Sequence, residues 1–297
     1  MREKQQCNLC PRRCGIDRRT ETGYCGCSSS VKLARAALHL WEEPCISGSR
    51  GSGTVFFSGC PLGCVYCQNH DISRGGSGRE ISSERLAEIF LELQDKGANN
   101  INLVTATPYV PQVMQALHLA RQALHIPVVY NCGGYECMET IRALKGYVDV
   151  YLPDIKYMSA ALSERYSSAP DYFDAAAAAV AEMIAQTDGL EFDSHGLMRR
   201  GVIVRHLVLP GAKNDSMQIL RWMSEALPRR KYQLSLMSQY TPTPGLNGYP
   251  EINRRITSLE YDAVVNEAVR LGLMDGYMQQ RSSVGTVYIP PFDGTGV

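Results

Sequence analysis

From residue 54 onward, short apolar runs alternate with amphipathic segments, and this alternation leaves few folds open to the chain. The runs are Thr54–Ser58, Asn100–Ala106, Pro127–Asn131, Val148–Ile155, Gly201–Leu209 and Tyr232–Ser238. Each is short, apolar and rich in β-branched or aromatic residues, which marks a strand buried on both faces. After the first of them, Ser82 or Ser83 can cap the segment SERLAEIFLELQDKG, where Leu86, Ile89, Phe90 and Leu93 share one face. Further helices are expected from Tyr109 to about Leu124, over ECMETIRALKG, over Phe173–Gln186 and over Leu259–Gly272, and over Ser216–Leu227 with Asp215 as its cap. Leu190–Arg200 reads as a small hairpin around Ser194-His195-Gly196, and Asp275–Val297 as irregular chain. Six buried strands separated by helices predict a parallel sheet of the α/β class, a partial (β/α)6 TIM-like barrel over residues 51–297. Residues 1–50 are read as a small cysteine-rich N-terminal segment, with a helical turn or two over Ala34–Trp41.

In parallel barrels the chemistry gathers at the C-terminal ends of the strands. The fourth strand ends in Asp154 and Lys156, which alternate to one face and can both point into the barrel mouth. Charged groups are placed there when they are paired with one another or functional, and the sequence leaves both readings open. Arg205 interrupts the otherwise apolar fifth strand, where a guanidinium can fork onto a carboxylate. His206 alternates to the opposite side and reads as a packed histidine. Thr105 and Asn131 close the second and third strands, and Met237 with Gln239 stands at the end of the sixth.

The first strand runs into a loop, GCPLGCVYCQN, that presents Cys60, Cys64 and Cys67 at Cx3Cx2C spacing. Thiolates are soft ligands for iron–sulfur clusters, zinc or copper(I). A structural zinc site and a fully ligated 4Fe–4S cluster each take four protein ligands. Three cysteines on one loop leave one iron open to bind and activate a small molecule, unless Asn69, His70 or a distant cysteine completes a zinc knuckle. Upstream, CNLCPRRCGIDRRTETGYCGC offers Cys7, Cys10 and Cys14, with Cys25 preferred over Cys27 as a fourth ligand. Four such ligands can close around zinc or a second iron–sulfur cluster, and spacing does not separate the two. Cys45, Cys132 and Cys137 read as packed residues.

Eleven cysteines would suggest disulfides in a small secreted chain, but eight of these fall in two tight groups, as expected of metal ligands in a reducing cytoplasm. The N-terminus, MREKQQCNLC, lacks the apolar core of a secretory signal, and no apolar run is long enough to span a bilayer. Thirty basic residues balance thirty acidic ones, so no global field favours nucleic acid or an anionic membrane.

The cysteine loop, with Tyr66 directly before its third thiol, resembles the signature of the radical S-adenosylmethionine superfamily. Together with CNLCPRRCG, ARAALHLWEEPCISG, YLPDIKY, RHLVLPG and the closing IPPFDGTGV, it is similar to a branch of pyruvate formate-lyase activating enzyme-like proteins. That resemblance implies a partial barrel and a 4Fe–4S cluster on Cys60, Cys64 and Cys67. It also implies S-adenosylmethionine chelated at the open iron and split to a 5′-deoxyadenosyl radical. The Asp-x-Lys pair looks like the one in glycyl-radical-enzyme activating enzymes, which implies that Lys156 meets the methionine carboxylate and Asp154 helps hold a cation beside it. Arg205 and Asn131 are expected to contact the same cofactor. Thr105 occupies the turn that often carries a Gly-Gly-Glu motif, and it offers a hydroxyl and carbonyls instead. The implied partners are an electron donor such as flavodoxin or ferredoxin, and a glycyl radical enzyme whose backbone glycine is the substrate. Two other functions stay open: modification of a small molecule or peptide, and a non-catalytic iron–sulfur or zinc-binding regulator.

Overall fold

The computed structural model describes residues 6–74, 76–279 and 289–297. Its core is a run of parallel strands, buried over most of their length, β2 (Ser52–Phe57), β4 (Ile101–Val104), β5 (Val128–Cys132), β6 (Val150–Pro153), β8 (Met198–Leu207) and β9 (Gln233–Met237), extended at one edge by the short, partly exposed β10 (Gly276–Met278). Helices α3 (Ser83–Asp95), α4 (Val110–Ala120), α5 (Met138–Ala143), α7 (Tyr172–Thr187), α8 (Lys213–Ala226) and α9 (Ser258–Arg270) connect them. Burial on both faces is why these strands are continuous apolar runs. The sheet order β10-β9-β8-β6-β5-β4-β2-β1-β3 does not close on itself, so the α/β barrel is partial.

Each helix is set by local chemistry. The Ser82 hydroxyl accepts from the Arg85 amide at 3.2 Å to start α3. A capping box between Thr257 and Glu260 starts α9. In α7 small residues let Ala176, Ala179 and Val180 pack closely against the sheet, with Met183 completing the buried stripe. Two further helices, α2 (His70–Ser73) after the cysteine loop and α6 (Ala160–Ser167) before α7, carry no expectation from sequence.

Three expectations need correction. Ala34–Trp41 is not helical: β1 (Val31–His39) runs antiparallel to β2, and β3 (Arg79–Ile81) pairs with its outer edge. Its alanines suit a helix, but β2 offers an unpaired edge, and pairing with it buries Val31, Leu33, Ala34 and Ala36. Asp215 is not the cap of α8. Its carboxylate accepts from the amides of Met158 (3.1 Å) and Ser159 (2.7 Å), tying α8 to the chain after β6. Asp275–Val297 is not wholly irregular, since β10 extends the parallel sheet; the 280–288 part of that reading, like Gly75 in the expected connector and residues 1–5 at the N-terminus, lies outside the described residues.

The α1 turn (Pro44–Ser47) follows β1 and carries the buried Cys45 and Ile46. The expected hairpin forms as β7 (Glu191–Phe192) against the start of β8. The last nine residues clasp β1: Gly294 donates to the Ala34 carbonyl at 3.0 Å, Ala36 donates to the Thr295 carbonyl at 2.9 Å, and Arg35 meets Asp293 at 2.9 Å. Gly296 is required there, because a Cβ would meet the Ala36 oxygen at 2.1 Å. Among the described residues no helix is long and apolar enough to cross a membrane.

Candidate functional site

The chain leaves β2 at Phe57 and turns through Gly59, whose φ of +91° suits glycine and whose missing Cβ makes room for the Cys27 sulfur. The loop that follows is fixed from several sides. Arg74 donates to the Gly63 carbonyl at 2.9 Å, and the Cys67 amide closes onto the Cys64 carbonyl at 3.1 Å. Tyr66 is buried among the rings of Tyr157, Tyr166 and Tyr240, at centroid distances of 5.9–6.3 Å. The Tyr157 hydroxyl donates to that of Tyr66 at 2.6 Å and lies 2.8 Å from Ser167 Oγ, which in turn donates to Cys64 Sγ at 3.0 Å. Tyr66 therefore acts as the anchor that aims the thiols.

Cys60, Cys64 and Cys67 line one cleft of about 240 Å³ at the C-terminal mouth of the barrel. Burial pushes the Cys60 thiol up to about 11 and the Cys67 thiol up to about 12. Asn131, Asp154, Lys156, Arg205 and Thr105 line the same cleft, so the residues singled out at the ends of four strands do come together. Lys156 Nζ meets Asp154 Oδ2 at 2.5 Å, and Arg205 Nε meets Asp154 Oδ1 at 2.9 Å. Burial by itself would raise the Asp154 carboxyl, but these two cations hold it below its ordinary value. Thr105 has φ +61°, a conformation that β-branched residues rarely adopt, and its amide donates to the Asn131 carbonyl at 2.8 Å.

The carboxylates that Arg205 meets are this chain's own. Its guanidinium already serves Asp154, Asn131 Oδ1 (2.6 Å) and Glu42 Oε2 (3.5 Å). Glu42, which sequence reasoning passed over, also accepts from Asn102 at 2.9 Å, and burial pushes its carboxyl up to about 7 despite Arg205. Its partners lie 60 to 163 positions away, so no local pattern marks it. Glu136 was missed too, because its partners sit on β5 and on the turn after β4 and meet it only once those strands pair. It lies buried after β5, accepting from Thr107 at 2.7 Å and Tyr130 at 3.2 Å, and burial pushes it up to about 8. His206 is packed as expected, between the Ile155 carbonyl (2.6 Å) and Ser216 Oγ (2.8 Å).

The donor set fits an iron–sulfur cluster. Each thiolate of such a cluster binds a different iron, which asks the three sulfurs to face one cleft without converging on a point. Among the described residues no three Cys, His, Asp or Glu side chains close on a single ion. Cys132 also borders the cleft, but its thiol is hydrogen-bonded to Glu136. The other cysteine group gathers elsewhere: Cys7, Cys10, Cys14 and Cys25 line a second, smaller cavity, while the buried Cys27 thiol points to the Ser58 carbonyl at 3.4 Å.

A partial parallel barrel with a three-thiol loop and paired charges at its mouth defines a barrel enzyme built around a metal cofactor. The family model described as the radical SAM superfamily matches residues 54–190. An uncharacterized protein of Methanocaldococcus jannaschii is 32% identical over 279 residues, which is 91% of this chain and 76% of that one. The chain belongs to the radical SAM superfamily, and the family implies a 4Fe–4S cluster and S-adenosylmethionine. Streptococcus suis SuiB bound to S-adenosylmethionine overlays with a TM-score of 0.49 at 12% identity, over 74% of this chain and 48% of that one. Methylornithine synthase overlays with 0.48 at 14% identity, over 71% and 59%. The chain thus spans about half the length of these solved structures.

Proposed function

We propose that this radical SAM enzyme takes a hydrogen atom from a peptide or protein backbone, as glycyl-radical-enzyme activating enzymes do from a glycine. The observation that carries the reading is the size of the cleft. Ligand pockets for one drug-sized molecule run from roughly 300 to 1,000 Å³. At about 240 Å³ the cleft between the described residues is of the order of one ligand, and it opens at the barrel mouth, where a segment of a larger chain could reach the cofactor. The hydrogen donor then enters at the mouth as a thin segment of a larger chain.

Cys60, Cys64 and Cys67 would hold the cluster. When bound, it supplies one electron to split a C–S bond of S-adenosylmethionine, whose adenosyl fragment takes the hydrogen. Lys156 presents a cation to the methionine carboxylate from a position fixed by Asp154. Arg205 acts through its neighbours, holding Asp154 and Asn131 in place for the cofactor. Thr105 offers its hydroxyl and its strained backbone where the family often places Gly-Gly-Glu. Tyr66 and the surrounding tyrosines keep water from the back of the loop. The electron comes from a flavodoxin- or ferredoxin-like donor, and the protein works in the cytoplasm. The cysteine-rich appendage, expected over residues 1–50, is the stretch before β1, since β1 belongs to the barrel sheet.

The test is anaerobic: reconstituted protein, dithionite, S-adenosylmethionine and glycine-containing peptides deuterated at the α-carbon. Deuterium in the 5′-deoxyadenosine supports the reading. Transfer from small metabolites but from no peptide or protein would overturn it in favour of a small-molecule enzyme.

A further inference from the structure

The hydroxyls behind the cysteine loop stand in a line whose hydrogens can be counted. Cys64 Sγ, Ser167 Oγ, Tyr157 Oη and Tyr66 Oη follow one another at 3.0, 2.8 and 2.6 Å. Ser167, Tyr157 and Tyr66 are buried, and the rings of Tyr166, Tyr172 and Tyr240 pack around the two tyrosines. Each hydroxyl has one hydrogen to place, and a buried one has to place it on a protein group.

Tyr157 cannot donate to Tyr66 while Ser167 donates to Cys64, because the contact between Tyr157 and Ser167 would then hold no hydrogen. Two arrangements fill all three contacts. With Cys64 as a thiol, the donations run from Cys64 to Ser167, to Tyr157, to Tyr66, and the Tyr66 hydrogen is left over among buried rings, which is costly. With Cys64 as a thiolate, the sulfur can only accept, and the donations run from Tyr66 to Tyr157, to Ser167, to Cys64. Three hydrogens then fill three contacts and none is left over. Cluster ligands are thiolates, so the line is complete in the state that a bound cluster imposes.

Backbone contacts keep the line in register. The Val65 amide donates to the Tyr166 carbonyl at 2.9 Å, which sets α6 against the cysteine loop. Arg12 reaches over from the N-terminal stretch and donates to the Pro61 carbonyl at 2.9 Å, to the Ser167 carbonyl at 2.8 Å and to that of Ser168. One guanidinium thus pins the cysteine loop to the end of α6. Cys60 differs, since it accepts from a backbone amide, that of Leu62 at 3.4 Å.

Hydrogen bonds to the ligating sulfurs are one of the levers that set a cluster's reduction potential. The reduced cluster carries one more negative charge, so a donor aimed at its thiolate favours reduction. Donors in a line polarise one another and strengthen the last bond.

We propose that Ser167, backed by Tyr157 and Tyr66, raises the reduction potential of the cluster on Cys60, Cys64 and Cys67 through hydrogen bonds that all point toward the Cys64 thiolate. This tuning requires Cys64 to be a cluster ligand, and it holds whether or not the substrate is a peptide.

The experiment is a potentiometric titration of full-length protein reconstituted anaerobically, with iron per chain counted and the fold followed by circular dichroism. The potential is read from the electron paramagnetic resonance signal that S-adenosylmethionine perturbs, which belongs to the cluster with an open iron. Ser167→Ala should shift the potential to more negative values at unchanged iron, and Ser167→Thr, which keeps the hydroxyl, should recover part of the shift. Tyr157→Phe should shift it the same way by less, and Tyr66→Phe by less again. In D2O, electron–nuclear double resonance should show an exchangeable deuteron beside the reduced cluster that is lost in Ser167→Ala and kept in Tyr157→Phe. If Ser167→Ala does not fold, Tyr157→Phe carries the test. An unchanged potential in Tyr157→Phe, or in a folded Ser167→Ala, overturns the tuning. Survival of the S-adenosylmethionine-sensitive signal in Cys64→Ala overturns it differently, by removing Cys64 from the cluster.

Discussion

Glu136 offers a sharp test of how the buried polar groups behind the cleft were read. It is 2% exposed, and its carboxyl is raised from 4.5 to about 8 by burial, against the Thr107 and Tyr130 donors. Below about 4.5 the folded and unfolded chains both carry the proton, and the residue adds no pH dependence. Between about 4.5 and about 8 the unfolded chain releases the proton while the folded one keeps it, so stability falls as pH rises. Above about 8 the loss is complete. At about 1.36 kcal/mol per pH unit, that window sets a ceiling of about 5 kcal/mol. Glu136→Gln stays neutral throughout and keeps an acceptor for Thr107. Its advantage over the unmodified protein should be small at pH 5 and grow to about 2 kcal/mol or more by pH 8. Urea unfolding followed by circular dichroism at half-unit pH steps, with metal content held equal, measures the difference. Other groups titrate in the same range, so the difference between the two proteins is the quantity to follow. A constant difference across the range would show that Glu136 is ionised in the folded chain and that the burial argument fails.

Other outcomes follow from the same geometry. Asp154→Asn leaves Lys156 and Arg205 without their shared carboxylate in a largely buried site. It should cost about 3–5 kcal/mol in urea unfolding and weaken S-adenosylmethionine binding by calorimetry, with cluster iron unchanged. Gly134→Ala forces a φ of +80° on alanine and sets its Cβ 2.1 Å from the Asp154 carbonyl oxygen. The conformation alone costs about 1–2 kcal/mol, and the clash adds to it by displacing Asp154. His206→Ala strips partners from Ile155 and Ser216 and leaves a hole; it should cost about 2–4 kcal/mol while iron content and 5′-deoxyadenosine production by the surviving folded protein stay unchanged.

The parallel strands and their helices were legible in the residues because double-sided burial writes itself as apolar runs, and an amphipathic helix as a periodic stripe. The three-thiol loop was legible because its ligands lie within eight positions of each other. The strand-end residues Thr105, Asn131, Asp154, Lys156 and Arg205 could be picked out because a parallel barrel gathers strand ends at one mouth.

Tertiary structure decided everything that depends on a distant partner. Val31–His39 carries the alanines of a helix but becomes a strand because the edge of β2 was waiting for it. Asp215 looks like a cap and instead ties down residues 57 and 56 positions earlier. Arg205 could be read as forking onto a carboxylate, and only the fold shows that the carboxylates it meets are Asp154 and Glu42, 51 and 163 positions earlier. Spacing could name four N-terminal cysteines; that all four line one cavity came from packing against the barrel. Local order follows from neighbours along the chain, whereas a site's electrostatics follow from neighbours in space.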